Sequence, residues 1–253
     1  MDHLTTKQDW KDIFDNMGID QGMSVCLQVN PVVTATVLGG GQAIIEALME
    51  TVTLKGSIVV PTFDLSTLDP SCTRVEYENW VEMRENMLGF KDGLTGCDPF
   101  GLQFLRNEDV VRSKHPVYSF AYWGSYRSAW LENNADYPFS FSYALWPMRH
   151  RESVNLLIGY DKTDSVLLPA LAQEKKEGLV YVERAKVRRV KSSIFRSYLN
   201  IRIDDDTKNR MLASCHEKNY KWNQGYIHCL WVDTKSDKSV ETSSTVSFIS
   251  SLK

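Results

Sequence analysis

His115 stands immediately before Pro116, whose ring pushes the histidine backbone toward extended conformations. An imidazole held rigidly ahead of a strand can take a proton, give one, or serve as a structural hydrogen-bonding group. Taken alone, one histidine without a visible partner reads first as structural. It lies in Arg112-Ser-Lys-His-Pro-Val-Tyr-Ser-Phe-Ala-Tyr-Trp-Gly124, where Ser113 and Ser119 add two hydroxyls. A second chemistry-bearing segment is Leu38-Gly-Gly-Gly-Gln42. Glycines such as Gly39 and Gly40 let a ligand approach the backbone, and a helix starting there offers free N–H groups to an anion. The spacing is not GxGxxG and lacks the P-loop lysine, so taken alone the glycines read as a turn packing helix against sheet.

Positioning these groups requires a frame. Residues 5–17 read as a helix capped by Thr5 or Thr6, with Trp10, Ile13, Phe14 and Met17 on one stripe and Gly18 at its end. Residues 23–29 and 57–63 read as apolar strands, and Ile44, Ile45, Leu48, Met49 and Val52 recur at helical spacing between them. Strand, glycine loop, helix, strand predicts a right-handed βαβ crossover. Further along, 76–88, 100–107 and 165–177 read as helices, the last with Pro169 in its first turn. Residues 117–124, 153–159 and 179–190 read as strands, 92–98 as a loop, and the polar tail from Thr234 is anchored only by Val246, Phe248 and Ile249. The basic alternation Arg184, Lys186, Arg188 reads as a solvated strand face, and Asp204-Asp-Asp206 as a solvated turn.

The chain has 253 residues, 43% hydrophobic and 24% charged, an ordinary globular composition able to bury a core. One domain spanning 1–253 is the simplest division. A formal charge of −3 argues against nucleic acid as partner and tolerates a polycationic ligand. The five cysteines show neither CxxC pairs nor zinc spacing, which predicts reduced thiols in a cytoplasm and no metal. The opening MDHLTTKQDW is not a signal peptide, and no apolar run has the length of a membrane span. A serine hydrolase would need Gly-x-Ser-x-Gly, which does not occur.

The two opening segments, in this order and at about this separation, resemble the aminoglycoside 3-N-acetyltransferase family. The string RSKHPVYSFAYWG is close to that family's Arg-Ser-x-His-Pro-x-x-Ser-Phe-Ala-x-x-Gly. Residues 90–106 and Asn155-Leu-Leu-Ile-Gly159 resemble two further family stretches, and the match covers roughly residues 22–175. The resemblance implies an α/β fold with a mixed central sheet flanked by helices on both faces, unlike the GNAT acetyltransferases. It implies acetyl-CoA as acyl donor and a small-molecule amine as acceptor, with no nucleic acid, membrane or metal involved and no particular oligomeric state. Gly39, Gly40 and Gln42 would belong to the CoA site, with Ser113, His115 and Ser119 near the acyl-CoA cleft. Asp204 and Asp205 would lie on the substrate side.

Two departures stand out. Where the family strand ends His-Ser-Ser-Leu and helps hold CoA, this chain has Gln28-Val-Asn-Pro31, leaving the amides of Gln28 and Asn30 as cofactor contacts. Where the family reads Asn-Thr-x-x-His-x-x-Glu on a helix, residues 161–174 contain no histidine. Leu167, Leu168, Ala170 or Leu171 takes the place of the base, depending on register, and Glu174 can stand for the glutamate. His115 is the first replacement candidate; His150, between Arg149 and Arg151, is less well placed. The expected activity is N-acetylation of an aminoglycoside-like amine. The alternatives are a member that binds CoA or a cationic ligand without turnover, and an acyltransferase with a different biosynthetic amine.

Overall fold

The computed structural model describes residues 4–91, 96–125, 136–150, 152–222 and 225–232, with the side chain of His150 excepted. The expected loop at 92–98 lies partly, and the tail from Thr234 wholly, outside the described residues.

Local sequence chemistry explains the first elements. Helix α1 (Lys7–Met17) begins with a capping box between Thr6 and Asp9, buries Trp10, Ile13, Phe14 and Met17, and ends at Gly18 with φ 77°. Strand β1 (Ser24–Val29) leads through the single turn α2 (Pro31–Thr34) into α3 (Gly40–Val52) and then β2 (Ser57–Pro61). The strands pair in parallel from Ser24 opposite Ser57, so the expected βαβ crossover is present.

Beyond it run α4 (Trp80–Asn86), α5 (Pro99–Phe104), β3 (Val111–Arg112), β4 (Phe120–Gly124), α6 (Pro147–His150), β5 (Ser153–Ile158) and α7 (Leu167–Lys175). Then follow β6 (Leu179–Arg188), β7 (Ser193–Arg202), α8 (Asp205–Ala213), β8 (His216–Trp222) and β9 (Gly225–Trp231). Strand β4 starts three residues later than the apolar run predicts. The amides of Val117 and Tyr118 donate to His115 Nδ1 instead, at 3.1 and 2.8 Å.

Seven strands form one mixed sheet in the order β3-β4-β2-β1-β5-β9-β8. β1 is central, parallel to both β2 and β5, and every other pairing is antiparallel. Side-chain alternation divides the core. Val25, Leu27, Val29, Ile58 and Val60 face α1 and α3; Cys26, Val59, Phe120, Tyr122 and Leu157 face α7 and α8. The sheet is thus covered by helices on both faces, as expected. β6 and β7 form a separate hairpin, which bridges back through Leu68 opposite Ala185 and Phe90 opposite Val187.

Candidate active site

In an open α/β sheet, ligands bind beyond the carboxyl ends of parallel strands where the chain leaves in opposite directions. Here that place is the end of β1, between β2 and β5, and a cleft opens there around Phe63. One lobe, about 390 Å³, is bounded by Gln28, Pro61, Asp98, Phe100, Tyr160 and Asp164. A second, about 320 Å³, lies between the loop at 163–166, Leu168 and Pro169 on one side and Tyr181, Ile201, Arg202 and Lys208 on the other. Phe63 and Asp164 border both lobes.

The Arg-Ser-x-His-Pro segment builds the support behind Phe63. Arg112 Nε donates to Ser119 Oγ at 2.8 Å, Ser119 Oγ donates to the Thr62 carbonyl at 2.8 Å, and Arg112 Nη2 donates to the same carbonyl at 2.6 Å. The residue entering the cleft is therefore fixed from its neighbour. Phe63 then packs edge-on against Tyr118, Phe120 and Phe139 at 5.2–5.6 Å. Ser113 Oγ accepts from the Phe120 amide at 2.9 Å. His115 is buried, and Tyr198 packs edge-on to its ring at 4.6 Å. Because Nδ1 accepts two amide hydrogens, the imidazole is neutral with its proton on Nε2.

Gln28 locks the other wall. Its amide donates to the Asp164 carbonyl at 3.0 Å, and its oxygen accepts from the Val166 amide at 2.9 Å. Asn155 bonds Ser165 Oγ at 2.7 Å beneath it. The loop carrying Asp164 is therefore tied to the strand ends. Asn30 caps α2 through the Val32 amide at 3.1 Å and donates to the Gly159 carbonyl at 3.2 Å. Gly159, at φ 72°, passes so close that a Cβ would stand 2.5 Å from Val33.

Of the residues singled out in the sequence, Gln28 lines the cleft directly. Gly39 and Gly40 turn the chain into α3 at φ 91° and 62°, and Gly41 packs against Phe100, which in turn lines the cleft. Gln42 donates to Asn107 at 2.7 Å and Glu46 at 3.1 Å. Glu174 faces Arg149 at 3.2 Å; burial raises its pKa and Arg149 opposes the rise. Asp204 caps α8 through the Thr207 amide at 2.7 Å, which holds its carboxyl below the usual range. Asp205 is exposed beside Lys208 at 3.4 Å. Asp204 and Asp205 lie between the cleft residues Ile203 and Lys208. The four candidate positions for the family histidine, Leu167, Leu168, Ala170 and Leu171, are all at most 3% exposed and packed in the core on the α7 face.

Sequence reasoning missed the cleft carboxylates Asp98 and Asp164 and the cations Arg202 and Lys208. Asp98 was findable: Asp-Pro before an apolar run is a helix start, and Asp98 accepts from the amides of Phe100 and Gly101 at 3.0 Å. In the basic run expected on a solvated face, Arg184 and Arg188 are exposed, and Arg184 and Lys186 also make specific bonds. Arg184 pairs with buried Asp69 at 3.1 Å, and Lys186 donates to the Arg84 carbonyl at 2.6 Å. Among the described residues, no group of three or more His, Cys, Asp or Glu could hold a metal ion, and no helix is long and apolar enough to cross a membrane.

Comparison with known proteins places the fold and the family. The prophage-derived aminoglycoside N(3')-acetyltransferase-like protein YokD of Bacillus subtilis (strain 168) is 31% identical over 167 residues, 62% of this chain. The match spans 60% of that relative's length. The crystal structure of YokD superposes with a TM-score of 0.76 at 23% identity, covering 90% of this chain and 89% of that one. AAC-IIIb in binary complex with CoASH superposes with a TM-score of 0.72 at 14% identity, covering 90% and 92%. AAC-VIa bound to sisomicin gives 0.70 at 14% identity, with the same coverage. The family model for aminoglycoside 3-N-acetyltransferase matches residues 32–236. The chain belongs to the aminoglycoside 3-N-acetyltransferase family.

Proposed function

We propose that this protein transfers an acetyl group from acetyl-CoA to an amine of an aminoglycoside-like polycation. One observation carries the reading: the cleft is bipolar. The exposed carboxylate Asp98 borders one lobe, cations Arg202 and Lys208 border the other, and the exposed carboxylate Asp164 stands with Phe63 at the junction of the two. Carboxylates attract ammonium groups, and Arg and Lys suit phosphate. The apolar walls from Phe63, Phe139, Ile201 and Ile203 fit an acyl-pantetheine chain.

Within this reading the amine attacks the thioester directly, with no covalent enzyme intermediate. Gln28 holds the Asp164 loop, so the cation-binding edge is preorganised, and alignment alone supplies much of the acceleration. The apolar α7 positions offer no base, and proton removal falls to another group. CoA bound to AAC-IIIb and sisomicin bound to AAC-VIa support donor and acceptor classes by kinship. The free cysteines suit a cytoplasmic setting.

The test is release of free thiol when the purified protein is incubated with acetyl-CoA and a panel of aminoglycosides, with product masses recorded. Acetylated aminoglycoside is the expected product. No thiol release with any amine, together with a CoA-dependent rise in melting temperature, would overturn the reading in favour of binding without turnover. Acetylation confined to other amines of a mixed library would move the acceptor class.

A further inference from the structure

The second lobe has α7 on one side, presenting Leu168 and Pro169, and the β6–β7 hairpin on the other, presenting Tyr181. The Tyr181 hydroxyl donates to Glu183 Oε1 at 3.0 Å. Glu183 is only 4% exposed. Its carboxylate also receives the Tyr118 hydroxyl at 3.4 Å and Asn200 Nδ2 at 3.0 Å. These are neutral donors, and among the described residues no cation pairs with it. A carboxylate held this way can accept a proton without breaking an ion pair. We propose that Tyr181 is the catalytic proton acceptor of the transfer, relaying the proton to Glu183 as its positioning residue, in place of the histidine missing from α7. This rests on the acetyltransferase reading above.

The step balances. The amine nitrogen bonds to the thioester carbonyl carbon and the C–S bond breaks, releasing CoA as thiolate. One N–H proton passes to the Tyr181 oxygen while the Tyr181 hydroxyl proton passes to Glu183. The same path returns that proton to the thiolate, leaving amide and free thiol. Tyrosine needs no ionised resting state for this role. Burial first, and Glu183 next, push its pKa up to about 12, while Arg202, 5.0 Å over the ring, works in the opposite sense. The hairpin is held in register against the rest of the molecule by Asp69, Lys186 and two bridges, which fixes the relay.

The experiment compares wild type, Tyr181→Phe and Glu183→Gln in steady-state transfer from acetyl-CoA to the best aminoglycoside, with melting temperatures and solvent deuterium isotope effects. Tyr181→Phe should keep the ring, the packing and the KM values while kcat falls about 10²–10⁴-fold, the usual share of general base catalysis. Glu183→Gln, which sets an amide NH2 against Asn200 Nδ2, should lose kcat by a similar factor with a lower melting temperature. The wild-type isotope effect should shrink in Tyr181→Phe. An active wild type with unchanged kcat in both variants overturns the relay and leaves the acetyltransferase reading intact. A rise in KM at constant kcat also overturns it, because it marks a binding role. A wild type inactive toward every amine overturns the acetyltransferase reading, and the relay with it.

Discussion

Asp69 and Glu183 are both buried carboxylates at the β6–β7 hairpin, and they are held in opposite ways. Asp69 meets Arg84 at 2.8 Å and Arg184 at 3.1 Å and accepts the Ser71 amide at 2.9 Å. Glu183 meets two phenols and an amide. Glu183 and Arg184 are adjacent on β6, so their side chains leave opposite faces of the strand. One face is therefore clamped to the loop carrying Asp69, and the other carries Tyr181 into the cleft. Ion pairing fixes a position by placing opposite charges beside the carboxylate; neutral donors fix a position without them. The hairpin needs both, because it exposes Leu179, Val180 and Val182 and buries little of its own apolar surface.

The comparison breaks most sharply when a buried charge is stranded. Replacing Arg84 and Arg184 together by Ala leaves Asp69 alone in the interior, at an expected cost of about 3–5 kcal/mol in urea unfolding. Asp69→Ala should cost less, roughly 1.5–3 kcal/mol. It removes the buried charge and leaves two guanidiniums at 30% and 45% side-chain exposure, where water screens them. The reverse order would show that Asp69 is not the energetic centre of the clamp. A neutral lock supplies the reference. Gln28→Ala leaves the buried Val166 amide unpaired and should cost about 1–3 kcal/mol, with KM for the amine rising as Asp164 loosens. A Gln28→Ala protein with wild-type stability and KM would separate Gln28 from the cleft wall.

The β1–α3–β2 crossover was legible because its signals are local: an apolar run, a glycine turn, helical spacing, a second apolar run. The cleft at its carboxyl end follows from that topology. The chemistry in the cleft was less legible, since it depends on which distant segments return to the strand ends. Tyr181 and Glu183 look in the sequence like any alternating strand pair, and nothing local says that Phe63 and Leu168 lie across from them. The RSKHP segment was visible as a motif. Its role as a support behind Phe63 emerges only when the hydrogen bonds from Arg112 and Ser119 to Thr62 are known. Strand β7, helix α8 and strand β8 carry mixed polar sequences on half-exposed elements, where periodicity is weakest.

Acid tests the Asp69 clamp without any change of sequence. Burial alone would raise the pKa of Asp69, but Arg84, the Ser71 contacts and Arg184 outweigh it and hold the carboxyl below its usual range. A carboxylate whose folded pKa is depressed adds stability that is fully present above the unfolded value, about 3.9 for aspartate, and is lost as pH falls through the folded value. The clamp should therefore weaken below about pH 4. Asp161 and Asp204 are also held low and titrate in the same direction, so total acid sensitivity is not the readout. The difference between wild type and Asp69→Asn is. The wild-type advantage in urea midpoint, measured from neutral pH downward, should stay constant to about pH 4 and then shrink. Parallel curves down to pH 2.5 would mean that the Asp69 charge contributes nothing that Asn cannot supply, and that the hairpin is held by its hydrogen bonds alone.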